Sequence, residues 1–117
     1  MSDHVLESPA SFGATESLPD GFTSTFTGDF NIAEALGGKD AVEDTFKRAM
    51  ESWGDDIRYM ATLCIVTNAK CWQHYEKGDA ELSETYAEMY YAVMNHVYDD
   101  ESPFGKESIS YFFECTD

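Results

Sequence analysis

Residues 57–98 read IRYMATLCIVTNAKCWQHYEKGDAELSETYAEMYYAVMNHVY, and their periodicity decides the fold. In the second half, Leu82, Tyr86, Met89, Tyr90, Val93 and Val97 recur at steps of three and four, which is one stripe of a helix. In the first half, Ile57, Met60, Leu63, Cys64, Ile65, Val66, Cys71, Trp72 and Tyr75 cover most of the cylinder. A helix apolar nearly all round is packed on several sides, so Leu63 and Trp72 are expected to be buried. Between the halves, Lys77-Gly78-Asp79 has the chemistry of a tight link: glycine to leave one helix, aspartate to cap the next.

Working outward, Gly54-Asp55-Asp56 breaks and restarts the pattern. Before it, Val42, Phe46, Ala49, Met50 and Trp53 share one helical face, with Asp40 as the N-cap. Asp29 can cap a brief helix from Phe30 to Leu36 that Gly37 and Gly38 stop. Phe22, Ser24 and Phe26 alternate with Thr23 and Thr25, which predicts a short strand. Past the acidic run Asp99–Glu101 and Pro103, residues 108–115 alternate again, with Ile109, Tyr111, Phe113 and Cys115 on one side. A strand is expected there, with a final helical turn as the competing reading.

The expected fold is therefore mainly α, a compact three- to four-helix bundle. Its helices lie near 40–53, 56–76 and 80–98, with a short one near 30–36. A short two-stranded β-ribbon from the N-terminal Phe-rich and C-terminal aromatic segments would complete it. Residues 1–20, mixed from Ser, Thr, Pro, Gly and acids, read as a flexible acidic arm. Residues 21–117 read as a single helical domain.

Charge is the anomaly. The chain of 117 residues carries 23 acids and 7 bases, a net charge of −16. Residues 1–38 hold six acids and no base, 39–78 seven acids and six bases, and 79–117 ten acids and one base. A nearly neutral middle between two acidic ends points to acidic faces rather than to a uniformly acidified surface. The start, Met-Ser-Asp-His, lacks a basic, apolar leader, and no run of eighteen apolar residues occurs, so neither a signal peptide nor a membrane span is expected. Three cysteines with no C-x-x-C pair read as reduced thiols of a cytoplasmic protein.

Cys64, Cys71 and His74 sit on one helix, but a zinc site needs four ligands and no second paired motif exists. No nucleophile elbow, base–nucleophile spacing or phosphate loop is present; Gly37-Gly38-Lys39 lacks the rest of a P-loop. No enzyme, cofactor or metal is expected. The carboxylates carry more information. Glu81, Glu84 and Glu88 gather opposite the apolar stripe of residues 80–98, beside Tyr91, and Asp99, Asp100 and Glu101 extend the negative surface. Side chains three and four apart on a helix are roughly 5–6 Å from one another, comparable to phosphates along a nucleic-acid strand. Residues 79–105 contain no base to relieve the repulsion.

Four stretches resemble small uncharacterised accessory proteins of bacterial conjugative elements and phages. They are residues 26–37 (FTGDFNIAEALG), 44–49 (DTFKRA), 72–78 (WQHYEKG) and 110–117 (SYFFECTD). The resemblance covers about residues 26–117 and brings no active site with it. It implies an anti-defence setting in a bacterial host cell, of the anti-CRISPR or anti-restriction type, in which acidic proteins mimic DNA.

Charge and setting together predict an acidic binding protein that inhibits a host nucleic-acid-handling defence protein by DNA mimicry. Glu81, Glu84, Glu88, Tyr91, Asp99, Asp100 and Glu101 would make the contact. The partner would be a basic nucleic-acid-binding host protein, a Cas effector or restriction enzyme; neither nucleic acid nor membrane would be bound directly. The rival expectation is a non-enzymatic structural or assembly subunit of conjugation or phage machinery, homodimerising or docking through Phe104, Tyr111, Phe112 and Phe113.

Overall fold

The computed structural model describes residues 22–116, and the expected arm at 1–20 lies outside them. Four helices follow one another: α1 Phe22–Trp53, α2 Ile57–Lys77, α3 Ala80–Tyr98 and α4 Lys106–Thr116. The central α2 packs along α3 over the longest interface and also meets α1 and α4.

The links form where local chemistry places them. The Asp56 carboxylate accepts the Arg58 backbone N–H at 3.0 Å, and Asp79 accepts that of Leu82 at 3.2 Å. Each satisfies one of the amide donors that the first turn of a helix leaves open. Gly78 ends α2 with a left-handed φ of 82°, and its N–H and that of Asp79 return to the last-turn carbonyls of His74 and Tyr75.

α1 is two half-helices that meet at Gly38, whose φ of 65° and ψ of −141° break the helical path. That conformation belongs to glycine, and no atom stands within 4 Å of where a Cβ would be. The first half begins at Phe22, eight residues before the expected short helix, and so overturns the strand expected over Phe22–Phe26. Phe26, Phe30 and Ala33, at steps of four and three, are all buried, and this helical stripe overrides the short period-two alternation.

The second expected strand is also helical. In α4, Tyr111 and Phe112 are neighbours in sequence and both buried, while Phe113 is exposed, an order that strand alternation cannot produce. Ile109, Phe112 and Cys115, three apart, face the core instead. Among the described residues no β-ribbon exists; the mainly helical bundle stands without it.

The core gathers Phe30, Val42, Met60, Leu63, Val66, Tyr86, Val93 and Val97 from α1, α2 and α3, closed at one end by Tyr111 and Phe112. Leu63 is fully buried as expected. Trp72 is not: it is 57% exposed and meets Tyr75 edge-on at 5.6 Å. The apolar side chains of α2 encircle the helix in sequence, but the flank that bears Trp72 and Tyr75 is exposed, and no other described helix covers it.

Candidate functional site

α3 turns Tyr86, Met89, Val93 and Val97 inward, and the same helical spacing turns Glu81, Glu84, Glu88 and Tyr91 outward. Asp99, Asp100 and Glu101 follow in the α3–α4 loop and are exposed as well. At a rise of 1.5 Å per residue, Glu88 and Asp99 stand roughly 16 Å apart along the axis. The seven residues thus form two negative clusters with Tyr91, 62% exposed, between them. None of the six carboxylates makes an ion pair within the described residues.

The two clusters differ in how their charge is relieved. Glu81 is close enough to Lys39 to help hold its ammonium above the ordinary lysine value, behind the larger effect of Glu43. Glu88 shares the wall of a shallow cavity with Lys47. The second half of α1 therefore supplies, across the bundle, bases that α3 itself lacks. Among the described residues Asp99, Asp100 and Glu101 make no ion pair, and the base that shares a shallow recess with Asp99 is His96 of the last turn of α3. The three acids also crowd the C-terminal end of α3, where backbone carbonyls already concentrate partial negative charge and acids are unfavourable. Asp99 is the C-cap residue, in extended conformation, its N–H bonded to the Asn95 carbonyl at 2.9 Å.

A second constellation, absent from the sequence reading, lies inside. One oxygen of Glu34, Oε2, accepts three donors: Tyr86 Oη at 2.5 Å, Lys70 Nζ at 2.9 Å and His74 Nε2 at 2.9 Å. Lys70 also donates to Asn31 Oδ1 at 2.6 Å and lies 5.7 Å from the centre of the Tyr86 ring. The His74 ring stacks on that ring at 5.6 Å, and its Nδ1 faces Asp79 Oδ2 at 3.6 Å. Burial alone would push the Glu34 carboxyl up, but hydrogen bonds from Tyr86, Lys70 and His74 outweigh it and hold the carboxyl below its ordinary value. Burial, with the Glu34 carboxylate beside it, pushes the Tyr86 hydroxyl far up.

Glu34 comes from α1, Lys70 and His74 from α2, and Tyr86 from α3, so one carboxylate pins three helices. Lys70 and His74 are buried; Lys70 Nζ and His74 Nε2 are taken up by the pin, whereas His74 Nδ1 has no hydrogen-bond partner among the described residues. The visible signal in the sequence was Lys70 and His74, four apart, on a helix whose apolar side chains cover most of its circumference.

Cys71 Sγ sits 3.6 Å from Ser83 Oγ, and burial pushes the Cys64 thiol up to about 12. Among the described residues no three His, Cys, Asp or Glu side chains converge as metal ligands, and no helix is long and apolar enough to cross a membrane.

No family model, curated protein or solved structure matches this chain.

Proposed function

We propose that this protein is a non-catalytic acidic binder that occupies the DNA-binding groove of a host defence protein, a Cas effector or restriction enzyme, in place of DNA. The observation that carries the reading is the placement of Asp99, Asp100 and Glu101. Three exposed acids stand, without an ion pair among the described residues, at the end of a helix where acids are least favourable. A feature that costs stability and makes no ion pair among the described residues is accounted for by an external partner. Glu84 and Glu88 extend the same negative surface, and Tyr91 between the clusters supplies an aromatic anchor.

A DNA-binding groove reads phosphates through Lys and Arg, and carboxylates pair with the same guanidinium groups in bidentate fashion. The protein itself repels nucleic acid, because its net charge is −16. The anti-defence setting, in the cytoplasm of a bacterial host, is carried over from the sequence expectation for residues 26–117 and is itself part of the proposal. The assembly alternative loses most of its contact surface: Tyr111 and Phe112 are buried, Phe104 is half-buried, and Phe113 alone of the four is exposed.

The test is DNA cleavage by a panel of Cas effectors and restriction enzymes with this protein added, at about 50 and 300 mM salt. The expected result is inhibition of one target, relieved by excess DNA and weakened at the higher salt. Inhibition that survives high salt and is indifferent to DNA, or no inhibition across the panel, would sink the reading.

A further inference from the structure

The carboxylate of Asp79 has two oxygens, and the cap of α3 uses one of them. Oδ1 accepts the Leu82 N–H at 3.2 Å, while Oδ2 lies 3.6 Å from His74 Nδ1, beyond hydrogen-bond reach. That nitrogen is buried and has no hydrogen-bond partner among the described residues, an uncommon state for a polar atom in a closed core. The other ring nitrogen settles what Nδ1 is. Nε2 lies 2.9 Å from Glu34 Oε2, and the Glu34 carboxyl is held below its ordinary value, so Nε2 carries a proton and donates it. In a neutral ring Nδ1 is then a bare lone pair turned toward a carboxylate oxygen, two acceptors with nothing between them.

We propose that His74 is a pH-sensitive latch: a second proton, taken up at Nδ1, is donated to Asp79 Oδ2 and ties the last turn of α2 to the N-cap of α3.

The groups around the ring favour that proton. From α1 comes Glu34, from α2 Lys70, from α3 the stacked Tyr86 ring, and from the link between α2 and α3 Asp79. Tyr86 keeps its own proton, because burial and Glu34 push its hydroxyl far up. Two carboxylates therefore face one ammonium, and a second proton on the ring evens the count. Burial opposes a charged imidazole, and a carboxylate within about 4 Å of each ring nitrogen offsets that cost. The parts are also in place. The Asp79 N–H already bonds to the His74 carbonyl at 2.9 Å, so the backbone holds the two residues together. The Asp79 side chain is 41% exposed, which gives the proton a route from solvent. The same exposure leaves the carboxylate room to close to the roughly 2.7–2.9 Å of a charged hydrogen bond. A proton held more tightly in the folded chain stabilises it wherever that proton is present. The latch therefore contributes in mild acid, and its contribution is lost as pH rises.

Nitrogen-15 NMR of the histidine rings in the full chain tests this at about pH 5.5 and 8.5, on either side of the ordinary imidazole value. His74 is assigned by the loss of its signals in His74→Gln. Both of its nitrogens should carry protons at the lower pH, and Nδ1 alone should lose its proton at the higher. Asp79→Asn keeps a side chain that caps a helix as well as aspartate does, but removes the charge. In that variant the pH at which Nδ1 gains its proton should fall by about one pH unit or more. The drop in melting temperature that Asp79→Asn causes should be larger at the lower pH, whereas a cap alone would give the same drop at both. Nδ1 without a proton at the lower pH, a titration that Asp79→Asn leaves in place, or an equal drop at both pH values overturns the proposal. No residue of the acidic surface takes part, so the proposed function stands or falls separately.

Discussion

Tyr86 donates its hydroxyl hydrogen to Glu34 at 2.5 Å across 52 residues of sequence, and the bond ties the first half of α1 to the far side of the bundle. The same oxygen holds Lys70 and His74, so removing the carboxylate strands three donors at once. Glu34→Gln keeps an acceptor oxygen but removes the charge opposite the buried Lys70 ammonium, and is expected to cost about 1–3 kcal/mol at pH 7. Tyr86→Phe removes one donor and should cost less, about 1 kcal/mol. The Glu34 carboxyl is held below its ordinary value of 4.5, so its contribution is fully present above that value and is lost as pH falls through the folded-state value. Urea denaturation should therefore show the wild-type advantage over Glu34→Gln at neutral pH and its disappearance in strong acid. An advantage that is constant down to strong acid would mean that Glu34 is not the ionised centre of the cluster.

The two large apolar residues once expected to share the fate of α2 should separate cleanly. Leu63 is fully buried, so Leu63→Ala should cost about 2–5 kcal/mol through lost transfer energy and the cavity left behind. Trp72 is more than half exposed, and Trp72→Ala should stay within about 0.5 kcal/mol, the level of ordinary surface changes. Denaturant midpoints for the two variants decide the point.

Gly38 gives a third test, of the backbone alone. An added Cβ would meet no atom within 4 Å, so Gly38→Ala creates no clash. Its φ of 65° with ψ of −141° is nevertheless a conformation that alanine resists, at a cost on the order of 1–3 kcal/mol. A neutral or stabilising Gly38→Ala in thermal melts would indicate that α1 runs straight through this position.

What was legible in the sequence was what neighbouring residues settle among themselves. Gly78 and Asp79 end one helix and start the next through bonds spanning a few residues, and the Leu82–Val97 stripe needs only helical spacing. Residues 22–26 and 108–115 misled because β-favouring residues in alternation are short-range evidence, overruled by packing partners such as Phe30 and Ala33 that complete a helical face. Trp72 misled because hydrophobicity around a helix does not say which flank lacks a neighbour. The Glu34 cluster was out of reach, since its His74 and Tyr86 bonds join residues 40 and 52 positions apart. The acidic surface was legible as charge, while its partial relief by Lys39 and Lys47 came from a different helix.

That uneven relief makes the final prediction specific. Replacing Asp99 and Asp100 by Asn and Glu101 by Gln removes three charges and keeps the polar shape of the loop. These acids oppose the negative end of α3, so the triple variant should be more stable than wild type, by on the order of 1 kcal/mol in total, with a higher melting temperature. Glu81→Gln should not share this gain, because Glu81 lies near Lys39 and loses a favourable interaction. Binding should run the other way. The loop variant is expected to lose most of its affinity for the defence protein, and what remains should depend less on salt, since fewer ion pairs are left to screen. Stability up and binding down in one variant is the pattern of a surface kept for a partner. If the loop variant is stabilised yet inhibits as well as wild type, the acids at the end of α3 have no partner, and the mimicry reading fails with them.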